Sequence, residues 1–378
     1  MLLARAGALI LAVAALTAVQ AQTPGVSAST ILFGQSAPLT GANAELGTDI
    51  RNGALAYFRK VNETGGVHGR RLELVTLDDA NQVPRAEANT RELVEQRQVF
   101  ALFGYASATL SRPALPIVEK HAVPFLAPFT GADPMRVFNR NIYNVRASYA
   151  DELEKIVEHF VPLGVKRFSV VYYDDVIGRE NYTAVERALK KRSLEPVSIA
   201  AFKDRAKPDI EGGVAAVGKG LPDVVILTTL YKASADFVKS ARKSGMASQI
   251  VSNSFPGASP LAKELGQEGA GVIVATVVPP PTKRSLPIVH EYQAAIERQT
   301  AKKDFSFTSL ESYIAAKIAV QALRRAGPNP TRASFMRELD ALRDLDVGGY
   351  TVAFSPTNHN GSSFVELTVI GKDLKFGY

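Results

Sequence analysis

The chain has 378 residues, 46% of them apolar, a formal net charge of +7 and no cysteine. Its length suits two lobes rather than one ordinary domain, and the apolar share describes a well-cored globular protein. The missing thiols exclude disulfides, thiolate catalysis, cysteine zinc sites and iron–sulfur clusters, and five scattered histidines give no metal-ligand spacing.

At the N-terminus Arg5 precedes an apolar run from Ala6 to Leu16, and Val19-Gln20-Ala21 offers a small-residue cleavage point before Gln22. This pattern predicts a cleavable secretory signal over residues 1–21. The run is shorter than the roughly 20 apolar residues needed to cross a bilayer. With no cysteine for lipid attachment, the expectation is a free periplasmic protein.

Ile31 to Gln35 reads as the first strand, and Ser36 to Gly41 as its loop. Ile50, Ala54, Tyr57, Phe58 and Val61 fall on one helical face, which stops at Gly65-Gly66. Arg71 to Leu77 alternates as a strand and ends at Asp78-Asp79. A helix from Pro84 to Arg97 leads to the central stretch from Val99 to Gly131. There the strand Val99–Phe103 runs through Gly104 into Tyr105-Ala106-Ser107-Ala108-Thr109 and a helix that Pro113 tolerates. A second strand, Val123–Ala127, runs into Pro128-Phe129-Thr130-Gly131. The strand–helix alternation predicts a parallel sheet with right-handed crossovers. Both loops then lie side by side at the carboxyl ends of strands, where a small anion, most simply a carboxylate, can meet free N–H groups.

Past an extended piece at Ile142–Arg146 and a helix over Tyr149–Leu163, a second series repeats the pattern. Its strands are Phe168–Tyr173, Val197–Phe202, Val224–Thr229 and Gln249–Val251, with helices over Glu180–Lys191, Gly213–Gly218 and Ala233–Gly245. Pro279-Pro280-Pro281 breaks the chain. Helices over Pro287–Thr300 and Ser309–Ala326 follow, and then a terminal hairpin pairing Tyr350–Phe354 with Val365–Ile370 through a turn at 358–361.

No Walker A loop, no Rossmann glycine fingerprint and no nucleophile elbow occurs, and His290-Glu291 lacks the second histidine of a zinc helix. Asp78-Asp79 and Asp174-Asp175 read as capping and loop residues rather than acid–base pairs. Lys190-Lys191-Arg192 and Arg324-Arg325 are short helix-surface runs, so no nucleic-acid partner is expected. Ser107, Thr109 and Thr130 converge on two adjacent strand ends. Tyr105, Phe129, Tyr231 and Phe255 stand at or beside strand ends, where they could wall a pocket for a ligand with an apolar body. No enzymatic activity, cofactor or metal is expected. Thr130→Pro is expected to abolish binding by deleting a ligand-facing N–H.

These pieces resemble the solute-binding proteins of branched-chain amino-acid-type ABC importers. The matching residues are Ser36-Ala37-Pro38-Leu39-Thr40-Gly41, Leu46 to Gly53, Gly65-Gly66-Val67-His68-Gly69, Asp78-Asp79-Ala80, Phe103-Gly104-Tyr105 and Ala127 to Ala132. Later come Tyr173-Asp174-Asp175 with Ile177-Gly178, Tyr231-Lys232 and Ser252-Asn253-Ser254-Phe255. The resemblance covers essentially the whole chain after the signal. It implies an α/β fold of two Rossmann-like parallel-sheet lobes joined by a three-crossing hinge, the type I periplasmic binding fold. Lobe one would be 29–145 plus 279–348, and lobe two 146–278 plus 349–378. The implied partners are a small solute, closed upon by hinge motion, and a permease in the inner membrane, with the protein a monomer.

The resemblance places the ligand's carboxylate and amino group at Ser107-Ala108-Thr109 and Phe129-Thr130-Gly131, with Ile177, Leu230 or Tyr231, and Ser254 contributed by lobe two. Three features depart from the family pattern. Ser254 stands where an acid often pairs with the α-ammonium, Leu46 and Ile177 stand where tyrosines often fall, and the family's disulfide is absent. A buried ammonium without a counter-charge is costly. A non-amino carboxylate, an aromatic acid or an amide therefore stays open beside an amino acid, as does a ligand-sensing regulator of the same fold.

Overall fold

In the computed structural model, which describes residues 23–41 and 43–377, the alternating apolar runs close into two separate sheets. The expected signal lies outside the described residues. The first series runs β1 (Thr30–Ala37), α1 (Ala44–Glu63), β2 (Arg71–Asp78), α2 (Val83–Arg91), β3 (Ala101–Phe103), α3 (Ser107–Ser111), α4 (Leu115–Lys120), β4 (Phe125–Leu126) and β5 (Ile142–Tyr143). Its sheet has the order β2-β1-β3-β4-β5 and is parallel throughout. β1 is central in the sheet, and on the face of Ile31 and Phe33 it is covered by Phe58 of α1 and by Phe100, so both residues are enclosed.

The second series runs α5 (Tyr149–Phe160), β6 (Phe168–Tyr173), α6 (Val176–Lys190), β7 (Pro196–Phe202), α7 (Ile210–Lys219), β8 (Val224–Leu227), α8 (Tyr231–Lys243), β9 (Gln249–Ser252), α9 (Ala258–Leu265) and β10 (Ile273–Thr276). The chain then returns to the first sheet's side through α10 (Pro287–Thr300), α11 (Phe307–Arg325) and α12 (Arg332–Asp340). It finishes with β11 (Leu345–Asp346), β12 (Thr351–Val352), β13 (Glu366–Ile370) and β14 (Phe376–Gly377). The second sheet has the order β14-β13-β10-β9-β8-β6-β7.

Return of the chain to α1 rests on small residues. A Cβ on Gly53 would stand 2.1 Å from the Ser309 carbonyl oxygen, so α1 and α11 touch backbone to backbone. The Ser312 hydroxyl donates to the Ile50 carbonyl at 2.5 Å, and Tyr57 meets Tyr313 edge-on at 5.0 Å.

Three expectations need correction. The helix expected from Ser107 onward is interrupted: Pro113 lies in a 3-10 turn over Arg112–Ala114 that separates α3 from α4. The sequence pattern yields no expectation for α9, β10 or α12, although Thr331 and Ser334 form a reciprocal capping box at the start of α12. The terminal hairpin forms differently. β12 pairs with β11, and residues 358–361 dock on the first crossing, where Asn144 donates to the His359 carbonyl and accepts from the Gly361 N–H. β13 therefore pairs antiparallel with β10, Ile273 opposite Val369, and makes its own hairpin with β14.

Candidate functional site

The two loops of the central stretch lie together, as their strand ends require. Phe129 N–H donates to the Tyr105 carbonyl at 2.8 Å, and Ser107 N–H to the Phe129 carbonyl at 3.2 Å. Ser107 and Ala127 carry positive φ of 70° and 49°, backbone that side chains other than glycine seldom adopt and that collects at binding sites.

Beside these loops is a cavity of about 520 Å³, bounded on one side by residues around α1, α3 and α11 and on the other by residues around α8, α9 and β10. Small-molecule sites span roughly 300–1,000 Å³. Its aromatic walls are Phe129, Tyr149, Tyr231, Phe255 and Phe307. Tyr149 meets Phe255 edge-on at 5.6 Å.

Of the residues picked out in the sequence, Ser107, Phe129, Tyr231, Ser254 and Phe255 line this cavity. Tyr105, Ala108, Thr109, Thr130, Gly131 and Ile177 are not brought to its wall. Tyr105 is core, packed on Phe125 with its hydroxyl 3.0 Å from Thr90 Oγ1. Ala108 is buried and Thr109 faces outward. Ile177 packs into the apolar cluster beneath the loops. Thr130 and Gly131 act one layer back, bonding to Tyr149. The Thr130 N–H is already taken by the Pro128 carbonyl at 2.8 Å, so it does not face a ligand and the stated reason for the Thr130→Pro expectation fails.

The charged centre of the site came from residues the sequence reading passed over. Arg146 leaves β5 on the first crossing, Glu152 sits on α5 and Glu311 on α11, and all three are buried. Ser148 caps α5 through a box with Asp151, which turns the stripe Tyr149, Glu152, Leu153, Ile156, Val157, Phe160 inward. Glu152 accepts the Ser254 N–H at 2.6 Å and the Ser254 hydroxyl at 2.7 Å. Arg146 lies 3.4 Å from Glu152, 3.6 Å from Glu311 and in hydrogen-bond contact with Ser254. Its guanidinium also stands 5.7 Å over the Tyr149 ring.

Burial pushes the Glu152 carboxyl up, with Arg146 and Ser254 opposing. Burial likewise pushes Glu311 up to about 7, against the pull of Arg146 and with a further push from Glu152. For Arg146 burial acts downward, but Glu311, Tyr149 and Glu152 outweigh it and hold the guanidinium charged. A signal existed in the sequence: Glu152 and Glu311 are acids on otherwise apolar helix faces.

At the mouth, Lys263 of α9 forms an ion pair with Glu45 of α1 across the cavity. Both side chains are more than half exposed, so the pair is worth under about 1 kcal/mol. Lys263→Ala should speed ligand release about two- to fivefold at low salt, read by stopped-flow fluorescence, and the difference should vanish in high salt. An unchanged release rate at low salt would mean the pair does not hold the mouth.

A periplasmic binding protein sequence pattern matches residues 30–373. The chain belongs to that family. It is 24% identical over 345 residues to an amino acid binding protein of Pseudomonas aeruginosa, covering 85% of this chain and 89% of that one. It is 25% identical to Leu/Ile/Val-binding protein homolog 7 of Brucella abortus, covering 91% and 89%. Among solved structures, a possible leucine/isoleucine/valine-binding protein from Rhodopirellula baltica matches with a TM-score of 0.84 at 29% identity, covering 94% of this chain and 98% of that one. The architecture is the type I periplasmic binding fold, and the family is one of solute binders. Among the described residues no cluster of three His, Cys, Asp or Glu side chains is placed to hold a metal, and no helix is long and apolar enough to cross a membrane.

Proposed function

We propose that the protein is the extracytoplasmic solute-binding component of an ABC importer, capturing a small carboxylate-bearing solute with an apolar body, a branched-chain or related amino acid. The observation that carries this reading is the aromatic-walled cavity between the two sheets, with Arg146 and Glu311 on its floor and Glu152 enclosed behind Arg146. Residues 29–145 with 279–348 form one lobe and 146–278 with 349–378 the other. The lobes close about the crossings at Asn144–Arg146, Ala275–Val278 and Gly348–Thr351 and present the closed form to a membrane permease. Residues 1–21 direct the chain to the periplasm, where it works as a monomer. The names of its amino-acid-binding relatives support the ligand class.

A second reading, a non-amino organic acid, is favoured by one observation: no acid stands at 254, and the acid beside it, Glu152, is already taken up by the Ser254 N–H and hydroxyl and by Arg146. A thermal-shift screen against branched-chain amino acids, keto acids, aromatic acids and short amides separates the two. A ligand at a hundred times its Kd stabilises by about 2.7 kcal/mol. Leucine-like amino acids should give the largest shift, whereas a response confined to non-amino acids would move the assignment to the second reading. No response to any of them would remove the cavity assignment.

A further inference from the structure

The position at which acids of this family often meet a ligand's ammonium holds Ser254, and Ser254 spends both its N–H and its hydroxyl on Glu152. Glu152 is fully occupied by those two donors and Arg146, and none of its surface is open. Glu311 differs on every count. It lines the cavity from α11, beside the terminal nitrogen of Arg146 that Ser254 does not occupy. Among the described residues no hydrogen bond reaches it, and its one ion pair, to Arg146, is long at 3.6 Å. A buried carboxylate so poorly served is costly unless something else supplies a donor.

We propose that Glu311 receives a cationic nitrogen of the solute, so that the ammonium is read from the α11 side of the cavity and not from the Ser254 side. This rests on the cavity being the solute site. The charge balance favours it. With both carboxylates ionised, Arg146, Glu152 and Glu311 carry one excess negative charge, which a cation cancels and an anion would double. The other groups facing Glu311 are Arg146, Glu152 and the Tyr350 hydroxyl, which bonds to the Val145 carbonyl at 2.9 Å. None of them supplies a second positive charge.

A proton follows from this arrangement. In the empty site Glu311, pushed up to about 7 by burial, is part-protonated near neutrality. A bound ammonium favours the ionised form, so capture releases a fraction of a proton at pH 7, and affinity rises as pH goes from 6 to 8. A ligand without the nitrogen would show the reverse: proton uptake and weaker binding at higher pH.

The test is calorimetry at pH 7 in two buffers of different ionisation enthalpy. It uses matched pairs, L-leucine against 4-methylpentanoate and L-phenylalanine against 3-phenylpropanoate. Expected results are about tenfold or tighter binding of the amine-bearing member, proton release with it, and loss of that preference in Glu311→Gln with the des-amino affinity kept or raised. The kept affinity shows that the variant is folded. Glu311→Asp should restore part of the preference.

Equal or tighter binding of the des-amino member, proton uptake with the amine, or an unchanged preference in Glu311→Gln would overturn the proposal. If one of these overturning results comes with des-amino binding that Tyr231→Ala weakens, the cavity reading stands while the Glu311 assignment falls. If no member of either pair binds, both fall together.

Discussion

Arg146→Met is expected to cost about 3–5 kcal/mol of stability at pH 8 and to abolish solute capture. Methionine fills much of the space of the arginine stem, so the loss is one of charge. Glu152 and Glu311 remain buried, and the first keeps only the Ser254 donors while the second keeps none. The pH dependence carries a sign. Without the guanidinium both folded-state carboxyls rise further above the unfolded chain's glutamate value. A raised carboxyl means that the folded form binds the extra proton, so its stability improves as pH falls. The deficit should therefore be full above the raised values and shrink toward pH 5.5, as read by urea unfolding at both pH values. A variant as stable as its parent at pH 8 would show that the guanidinium does not hold the two carboxylates ionised.

For Gly131→Ala we expect at least a tenfold loss of affinity with about 1–3 kcal/mol of destabilisation. An added Cβ would stand 2.6 Å from the Tyr149 backbone nitrogen and 2.7 Å from its ring Cδ1, so α5 or the Phe129–Gly131 loop has to move. Tyr149 forms part of the aromatic wall, meets Phe255 edge-on and lies under the guanidinium. Gly218→Ala, whose Cβ would meet only the tip of Met246 at 3.9 Å, is the control and should be neutral or slightly stabilising. Equal affinity of Gly131→Ala and parent would remove Tyr149 from the site.

The fold was legible where local signals agree with tertiary demand. Fully buried parallel strands such as Val224–Leu227 read as continuous apolar runs, and α1 shows its stripe because only one face packs. The central loops were legible as a pair because small residues follow each strand without delay. The floor of the site was not. Arg146 lies in a short extended piece and Glu152 and Glu311 on helices, so only the folded crossings bring residues so distant in sequence into contact with one another and with Ser254. An acid on an apolar stripe reads as an edge position until its partner is seen. The terminal hairpin was misassigned because residues 358–361 satisfy their backbone on Asn144, a pairing with no local signature.

The contact between α1 and α11 bears on how the chain reaches this state. The Ser312–Ile50 bond joins residues 262 positions apart, and Gly53 fits only against Ser309. A ribosome releasing the chain from its N-terminus exposes the α1 face long before its cover exists. Contacts of such high sequence separation form slowly. The α1 face thus stays uncovered until the last quarter of the polypeptide has been made, an interval in which a chain not yet fully folded can still be threaded through a narrow pore or be claimed by a chaperone.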